Sequence, residues 1–247
     1  MYSESHCHLG AATPETLKKA AETGFDMLLD AGIDLASCES AVSLAEKHRI
    51  VYACLGIHPW YADEWSGDVA ERFRILAKNP KVVAVSEVGL DFVGRMNKEW
   101  IREDRIIDKE VQRAALRDQI RLAGELKLPV IVHDRAPGVE VLDILEEEGA
   151  LARGAAIHGF NKDAAYVKRA ASLGVYLSVG RGVVNNPTPG FLEAVKAIPL
   201  DLLLTETDGG SPENLLPVCE AVGRVKGLSR EEIGYGATAN LRRLLGR

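Results

Sequence analysis

The sequence predicts an α/β protein: a single (β/α)8 TIM barrel with its functional groups at the C-terminal ends of the strands. Three observations predict it. Eight short apolar runs alternate with segments that carry helix starts and stops. The runs are rich in Val, Ile, Leu and Ala, as strands buried on both faces are. Histidines or carboxylates stand where most of the runs end.

The opening strand carries Glu4-Ser5-His6-Cys7-His8, and strict alternation puts Glu4, His6 and His8 on one face with Ser5 and Cys7 on the other. Thr13-Pro14-Glu15 reads as the N-cap, first-turn proline and first-turn acid of a helix ending near Gly24. Residues 25–29 form a short strand. Asp34 caps a helix to about Arg49, where Lys47-His48-Arg49 suits the negative pole of the dipole and makes His48 a helix-end residue. Residues 50–57 are a near-continuous apolar run leading into Gly56-Ile57-His58-Pro59-Trp60, followed by a helix over about 68–78 and a strand over 82–87. Beyond Gly89-Leu90-Asp91-Phe92 a charged stretch runs through Asp108, then a helix over about 109–126 that Pro129 halts. Strands over 130–133 and 155–158 flank a helix over 139–148. Asn161 caps a helix through Leu173; then come a strand at 175–179, a helix at 189–197, a last strand at 202–208, and helices from about Pro212 and Ser229.

At 247 residues and 47% apolar the chain can bury a large core, and no Ser/Pro/Gly-rich stretch divides it, so one domain over 1–247 is expected. The start has no basic n-region or apolar h-region, and nowhere do eighteen apolar residues run together. A soluble cytoplasmic protein without a membrane partner is expected. Cys7, Cys38, Cys54 and Cys219 are scattered, which suggests neither a zinc ribbon nor a disulfide framework. A net charge of −6 removes the basic footprint of a protein that grips long nucleic acid through many phosphates.

In such a barrel His6 and His8 leave the first strand, Glu87 ends the fourth, His133 the fifth, His158 the sixth and Asp208 the eighth, so all six converge on one mouth. A His-x-His pair alone is a weak signal, and buried hydrogen-bonded histidines are the bland alternative. Four of the six histidines standing after apolar runs favour a metal site. Four imidazoles and two carboxylates exceed the needs of one tetrahedral ion and suit two ions: His6, His8 and Asp208 on one, His133 and His158 on the other, Glu87 between. Such a pair would bring the pKa of a bound water towards ~7 and clamp both oxygens of a displacement. Asp208 would orient that water or accept its proton, so Asp208 and Glu87 are the catalytic candidates. The donor set suits zinc, manganese, nickel, cobalt or iron better than calcium, with magnesium unusual beside so many imidazoles. A modified lysine is no rival bridge: none lies between Lys81 and Lys98, and Lys127 precedes the fifth strand.

The chain resembles the TatD-type metal-dependent deoxyribonucleases, a branch of the amidohydrolase superfamily. The resemblance rests on Ser5-His6-Cys7-His8-Leu9, Gly56-Ile57-His58-Pro59, Glu87-Val88-Gly89-Leu90-Asp91-Phe92, the Gln112 to Gln119 spacing, residues 129–135, His158-Gly159-Phe160, Glu206-Thr207-Asp208 and Asn240. It implies a (β/α)8 barrel that cleaves phosphodiesters, often at DNA 3′ ends, and it places ligands at the same six positions. There are departures. Glu4 stands where the family usually has Asp, Trp60 replaces a histidine, and Leu116 a phenylalanine; Gly209-Gly210-Ser211-Pro212 replaces a short small-residue-proline pair, and residues 93–108 are a longer, charged stretch. These bear on substrate preference more than on the metal centre.

Arg135, two residues beyond His133, is the candidate phosphate contact because its fork matches phosphate oxygens; the bland alternative is an ion pair with Asp134 or Asp163. Trp60 is a candidate for stacking a base, and His58, at a strand end without a ligand partner, a candidate substrate contact. Asp91 lies close enough to Glu87 to order the ligands from behind, and Glu4 is a second such carboxylate. The expected substrate is a DNA end or a small phosphodiester. Hydrolysis of a small cyclic amide, lactone or phosphoester is the alternative, and a catalytically inactive metal-binding protein a third reading.

Overall fold

The computed structural model describes residues 1–94 and 106–247. Among them, eight parallel strands form a nearly closed barrel in sequential order, β1 beside β2 and so on to β8. The strands are β1 (Tyr2–Cys7), β2 (Phe25–Ala31), β3 (Val51–Leu55), β4 (Val82–Asp91), β5 (Val130–Arg135), β6 (Ala155–His158), β7 (Tyr176–Val179) and β8 (Leu203–Thr205). Helices α1 (Pro14–Glu22), α2 (Leu35–Lys47), α3 (Gly67–Leu76), α4 (Lys109–Leu126), α5 (Glu140–Glu147), α6 (Ala164–Ser172), α7 (Gly182–Asn185), α8 (Pro189–Ala197), α9 (Leu215–Lys226) and α10 (Arg230–Leu244) fill the connections and the C-terminus. No described helix is long and apolar enough to cross a membrane. All four cysteines are buried and unpaired. Most of the charged stretch expected before Asp108, residues 95–105, lies outside the described residues.

The strands divide their side chains between two cores. Met27, Leu29, Cys54, Val83, Ile131, Ala156, Tyr176 and Leu204 pack inside the barrel, with Leu241 and Leu244 of α10 against them. Neighbours such as Leu28, Val51, Leu55, Val132, Ile157 and Leu177 pack outward with the helices. With both faces covered, the strands read as continuous apolar runs in place of alternating ones.

Several expected boundaries move for identifiable reasons. Glu87 was expected to end the fourth strand, but β4 continues to Asp91 because Gly89, Leu90 and Asp91 pair with His133, Asp134 and Arg135 of a correspondingly longer β5. Asn161 does not cap α6; Asp163 does, accepting the Tyr166 amide at 2.9 Å. The last strand stops at Thr205, three residues before Asp208, which sits in the left-handed region at φ 52°. Asp tolerates that region better than most side chains do, and the turn aims its carboxylate into the mouth.

The face expected for Glu4 is also corrected. Ser3 pairs with Met27 and Glu4 with Leu28, and the register then shifts before Cys7 pairs with Asp30. Paired residues of parallel strands share a face, so Glu4 lies outward with Leu28, while past the irregularity His6 and His8 face inward. One extra residue in a strand reverses every side chain beyond it. From outside, Glu4 accepts the Thr207 amide and helps close the seam between β8 and β1. There the Asp208 amide also donates to the His6 carbonyl, and the His8 amide to the Gly209 carbonyl, each at 3.3 Å.

Two glutamines of α4, two turns apart on its buried face, fix the loops that carry site residues. Gln119 accepts the Ile57 amide at 2.7 Å and donates to the Ile57 carbonyl at 3.2 Å. Gln112 accepts the Asp91 amide at 2.8 Å and donates to the Asp91 and Ile107 carbonyls at 3.1 and 2.8 Å. At the other end of the chain, buried Asn240 of α10 donates to the Leu200 and Leu203 carbonyls at 2.7 and 2.8 Å, tying the last helix to the start of β8. Asn240→Ala strands two carbonyls, one of them buried, and is expected to lower stability by about 1–3 kcal/mol in urea unfolding. An unchanged midpoint would show that the tie carries no stability.

Candidate metal centre

Glu87 lies at the focus of the mouth. Its Oε2 is 3.4 Å from both His6 Nε2 and His8 Nε2; its Oε1 is 2.8 Å from His158 Nε2, 2.9 Å from His133 Nδ1 and 3.3 Å from His58 Nε2. Asp208 Oδ1 stands on the Oε2 side, 3.3 Å from His8 Nε2 and 3.7 Å from His6 Nε2. The six expected ligand residues therefore meet in one cluster, with one carboxylate oxygen facing each pair of histidines.

The outer partners of the rings decide which nitrogens are free to bind. His8 Nδ1 is 2.9 Å from the Ala31 carbonyl, which fixes a proton there and leaves Nε2 with a lone pair aimed inward. His133 Nε2 is 3.2 Å from Asp91 Oδ2, so Nδ1 is the inward lone pair. His6 presents Nε2, which is buried without a hydrogen-bond partner, and its Nδ1 is 3.5 Å from Ser86 Oγ. His158 presents Nε2, while its Nδ1 lies 3.6 Å from Glu206 Oε1.

His58, expected as a substrate contact, has the opposite polarity and is buried, with only 2% exposed. Its Nδ1 accepts the Trp60 amide at 3.0 Å, so the proton is on Nε2 and is donated to Glu87. Burial holds its pKa down at about 4 despite Glu87, and the ring stays neutral. Trp60, expected to stack a base, donates Nε1–H to Asp91 Oδ2 at 2.8 Å. Arg135 Nη1 approaches the same oxygen at 3.8 Å, so its nearest acid is Asp91; Asp134 is taken by Lys162 and Tyr166, and Asp163 by its cap.

The electrostatics favour a cation. Burial alone would raise the Glu87 carboxyl, but His58, His158 and His6 hold it well below the ordinary range. For Asp208 desolvation is likewise outweighed, by the hydrogen bond with His8 and the fields of His158 and His6. Burial lowers His158, yet Glu87 and Glu206 raise it to about 10. Two ionised carboxylates, Glu87 buried and Asp208 part-exposed at the mouth, thus draw positive charge towards four inward imidazoles. His133 Nδ1 and His158 Nε2 are 3.2 Å apart, and inward donor groups, among them His6, His8 and Glu87, and Glu87, His133 and His158, lie within 4.8 Å of one another. Nitrogen and carboxylate donors converging in this way fit divalent metal.

Two contributors were not singled out in the sequence. Glu206, which appeared there only within Glu206-Thr207-Asp208, accepts the Gly159 amide at 2.5 Å and backs His158, and Arg181, which carries no motif, lines the cavity with Asp208; strand-end polarity after β7 and β8 was the available signal for both.

Barrel and centre together define a metal-dependent hydrolase of the kind built on inward strand-end histidines. The family profile described as TatD related DNase matches residues 4–246, and the chain belongs to this family. It is 31% identical over 261 residues to YabD of Bacillus subtilis, named an uncharacterized metal-dependent hydrolase, covering 99% of this chain and 98% of that protein. It is 32% identical over 196 residues to a protein of Erwinia tasmaniensis named 3'-5' ssDNA/RNA exonuclease TatD, covering 78% of this chain and 72% of that one. In fold it is similar to the crystal structure of YJJV, a TatD homolog from Escherichia coli, with TM-score 0.85 and 24% identity over 100% of this chain and 98% of that one.

Glu87→Gln keeps the shape of the side chain but removes the charge that organises the imidazoles. The expected result is an unchanged circular dichroism spectrum with divalent-ion affinity at least about tenfold weaker in a chelator competition. Equal affinity would place Glu87 outside the binding set.

Proposed function

We propose that this TatD-family hydrolase is a phosphodiesterase that removes nucleotides from DNA ends, with two divalent ions held by His6, His8 and Asp208 on one side of Glu87 and His133 and His158 on the other. The observation that carries the reading is the division of Glu87: each oxygen faces its own pair of ring nitrogens. When bound, zinc, manganese, nickel, cobalt, iron or magnesium would supply Lewis acidity to an attacking water and to a phosphoryl oxygen.

The chain's own groups divide the remaining work. Asp208, turned into the mouth with its side chain 42% exposed, takes the proton of the water that attacks phosphorus, while the P–O bond to the departing sugar breaks. Glu87 keeps the two pairs of histidines in register, with His58 donating to it. Asp91 holds the His133 ring from behind, and Trp60 holds Asp91. Arg135, 35% exposed and in one long ion pair among the described residues, presents its fork to a phosphate oxygen. The activity in the name of the Erwinia relative supports a single-stranded end as the substrate.

Reconstituted protein should carry up to two divalent ions per chain by elemental analysis, and a saturating content of zero sinks the reading. Arg135→Ala is expected to lower kcat/KM on labelled single-stranded oligonucleotides by about 1.5–3 kcal/mol, roughly ten- to a hundredfold, with metal content unchanged. Arg135→Lys recovers part of the loss, because lysine keeps the charge and not the fork. If Arg135→Ala cleaves at the parent rate while a panel of lactones and cyclic amides is also turned over, the phosphodiester assignment fails.

A further inference from the structure

A cavity of about 570 Å³ opens from His133, His158 and Asp208 along the ends of β5 to β8. Its far wall begins with Arg181, which follows Gly180 after β7 and is exposed. Many arginines of this protein are spent on surface carboxylates: Arg72 on Glu39, Arg113 on Glu140, Arg117 on Glu148 and Arg169 on Glu146. Arg181 has no such ion pair or hydrogen bond among the described residues. Its guanidinium lies over Gly209: a side-chain carbon there would be 3.8 Å from Cζ and Nη2. The guanidinium thus lies beside the Gly209-Gly210 loop that follows Asp208.

The next wall is aromatic. A side-chain carbon on Gly182 would be 3.7 Å from the Phe191 ring, so Phe191 adjoins the arginine's turn, and its other neighbour is Phe160, with ring centroids 6.1 Å apart at 30°. Phe160 is buried and Phe191 half-buried, so Phe191 is the more accessible of the two rings that line the cavity. Exposed amides of Asn185 and Asn186 complete this side. A planar cationic fork, a flat apolar face and side-chain amides match a phosphate, a base and its polar edge, and the volume is that of a small-ligand site.

We propose that this cavity seats the terminal nucleotide of the substrate, with Arg181 on its phosphate and Phe191 against its base. The assignment rests on the phosphodiesterase reading and extends it from a bond type to a mononucleotide-sized end group. Arg135, at the end of β5, and Arg181, in the turn after β7, line the same cavity, and the strand end enters it with both guanidiniums in reach.

The test is isothermal titration of purified protein with deoxyadenosine 5′-monophosphate and with deoxyadenosine, metal content being checked in each variant. The parent should bind the monophosphate more tightly than the nucleoside. Arg181→Ala should weaken the monophosphate about ten- to a hundredfold and leave the nucleoside unchanged. Arg181→Lys should restore part of the loss, and Phe191→Ala should weaken both ligands. Equal monophosphate binding by Arg181→Ala and the parent, or no preference for the monophosphate in the parent, overturns the pocket even if oligonucleotides are cleaved. If the parent cleaves no phosphodiester while the Arg181 pattern holds, the nuclease reading fails and the nucleotide pocket stands.

Discussion

A carboxylate buried among five imidazoles sets the terms for the rest of the mouth. An ionised Glu87 removed from water would be costly alone, and its cost is offset only where positive or proton-bearing groups surround it. The barrel supplies them from four strand ends: β1 gives His6 and His8, the end of β3 His58, β5 His133, and β6 His158. These groups are separated by up to 152 residues in the chain, between His6 and His158, and only a closed cylinder of parallel strands brings their ends to one rim. Four of the imidazoles offer lone pairs, which satisfy a carboxylate only through a proton or a cation shared with it. Affinity for a divalent ion follows from the same arrangement that makes the buried charge tolerable.

The second constraint is orientation. A ring nitrogen is useful as a ligand only if the other nitrogen is committed elsewhere, and each commitment here reaches back into secondary structure. The Ala31 carbonyl of β2 fixes His8, Asp91 at the end of β4 fixes His133, and the Trp60 amide fixes His58 in the tautomer that donates to Glu87. Asp91 and Ile57 are pinned in turn by Gln112 and Gln119, so α4 acts on the centre through two amide side chains and never touches it. Desolvation makes these indirect contacts matter, because His6, His58, His133 and His158 are buried and a misdirected lone pair there has no bulk water to repair it.

The barrel and the six converging groups were legible because both depend on local signals: apolar runs of strand length, and a histidine or carboxylate at the end of most runs that nothing in packing explains. What escaped depends on non-local or sub-residue facts. Glu4 was placed on the histidine face by strict alternation, and one register irregularity before Cys7 reverses it; no residue type announces such an irregularity. The end of β4 was set at Glu87 because the length of a strand is decided by its partner, here the extension of β5 to Arg135. Asn161 and Asp163 are equivalent caps by propensity, and the path of the chain chose between them. His58 is a histidine at a strand end like the ligands, and only the proton position separates it from them.

If the substrate is a nucleic-acid end, as proposed, charge resolves an apparent conflict between that polyanion and a protein of net charge −6. A long duplex held by many phosphates would need a broad basic face, and its affinity would collapse on an acidic surface. A strand end needs only one or two phosphates to be neutralised, and the mouth concentrates its cationic groups at that scale, with Arg135 and Arg181 both lining its cavity and surface arginines such as Arg113 and Arg117 already paired. The acidic exterior then works with the site: it disfavours lengthwise binding of nucleic acid anywhere else on the molecule and leaves the end as the part that gains most from entering. On the proposed reading, a preference for termini would follow from where the two cavity-lining guanidiniums stand, Arg135 in one long ion pair with Asp91 and Arg181 with no side-chain partner among the described residues.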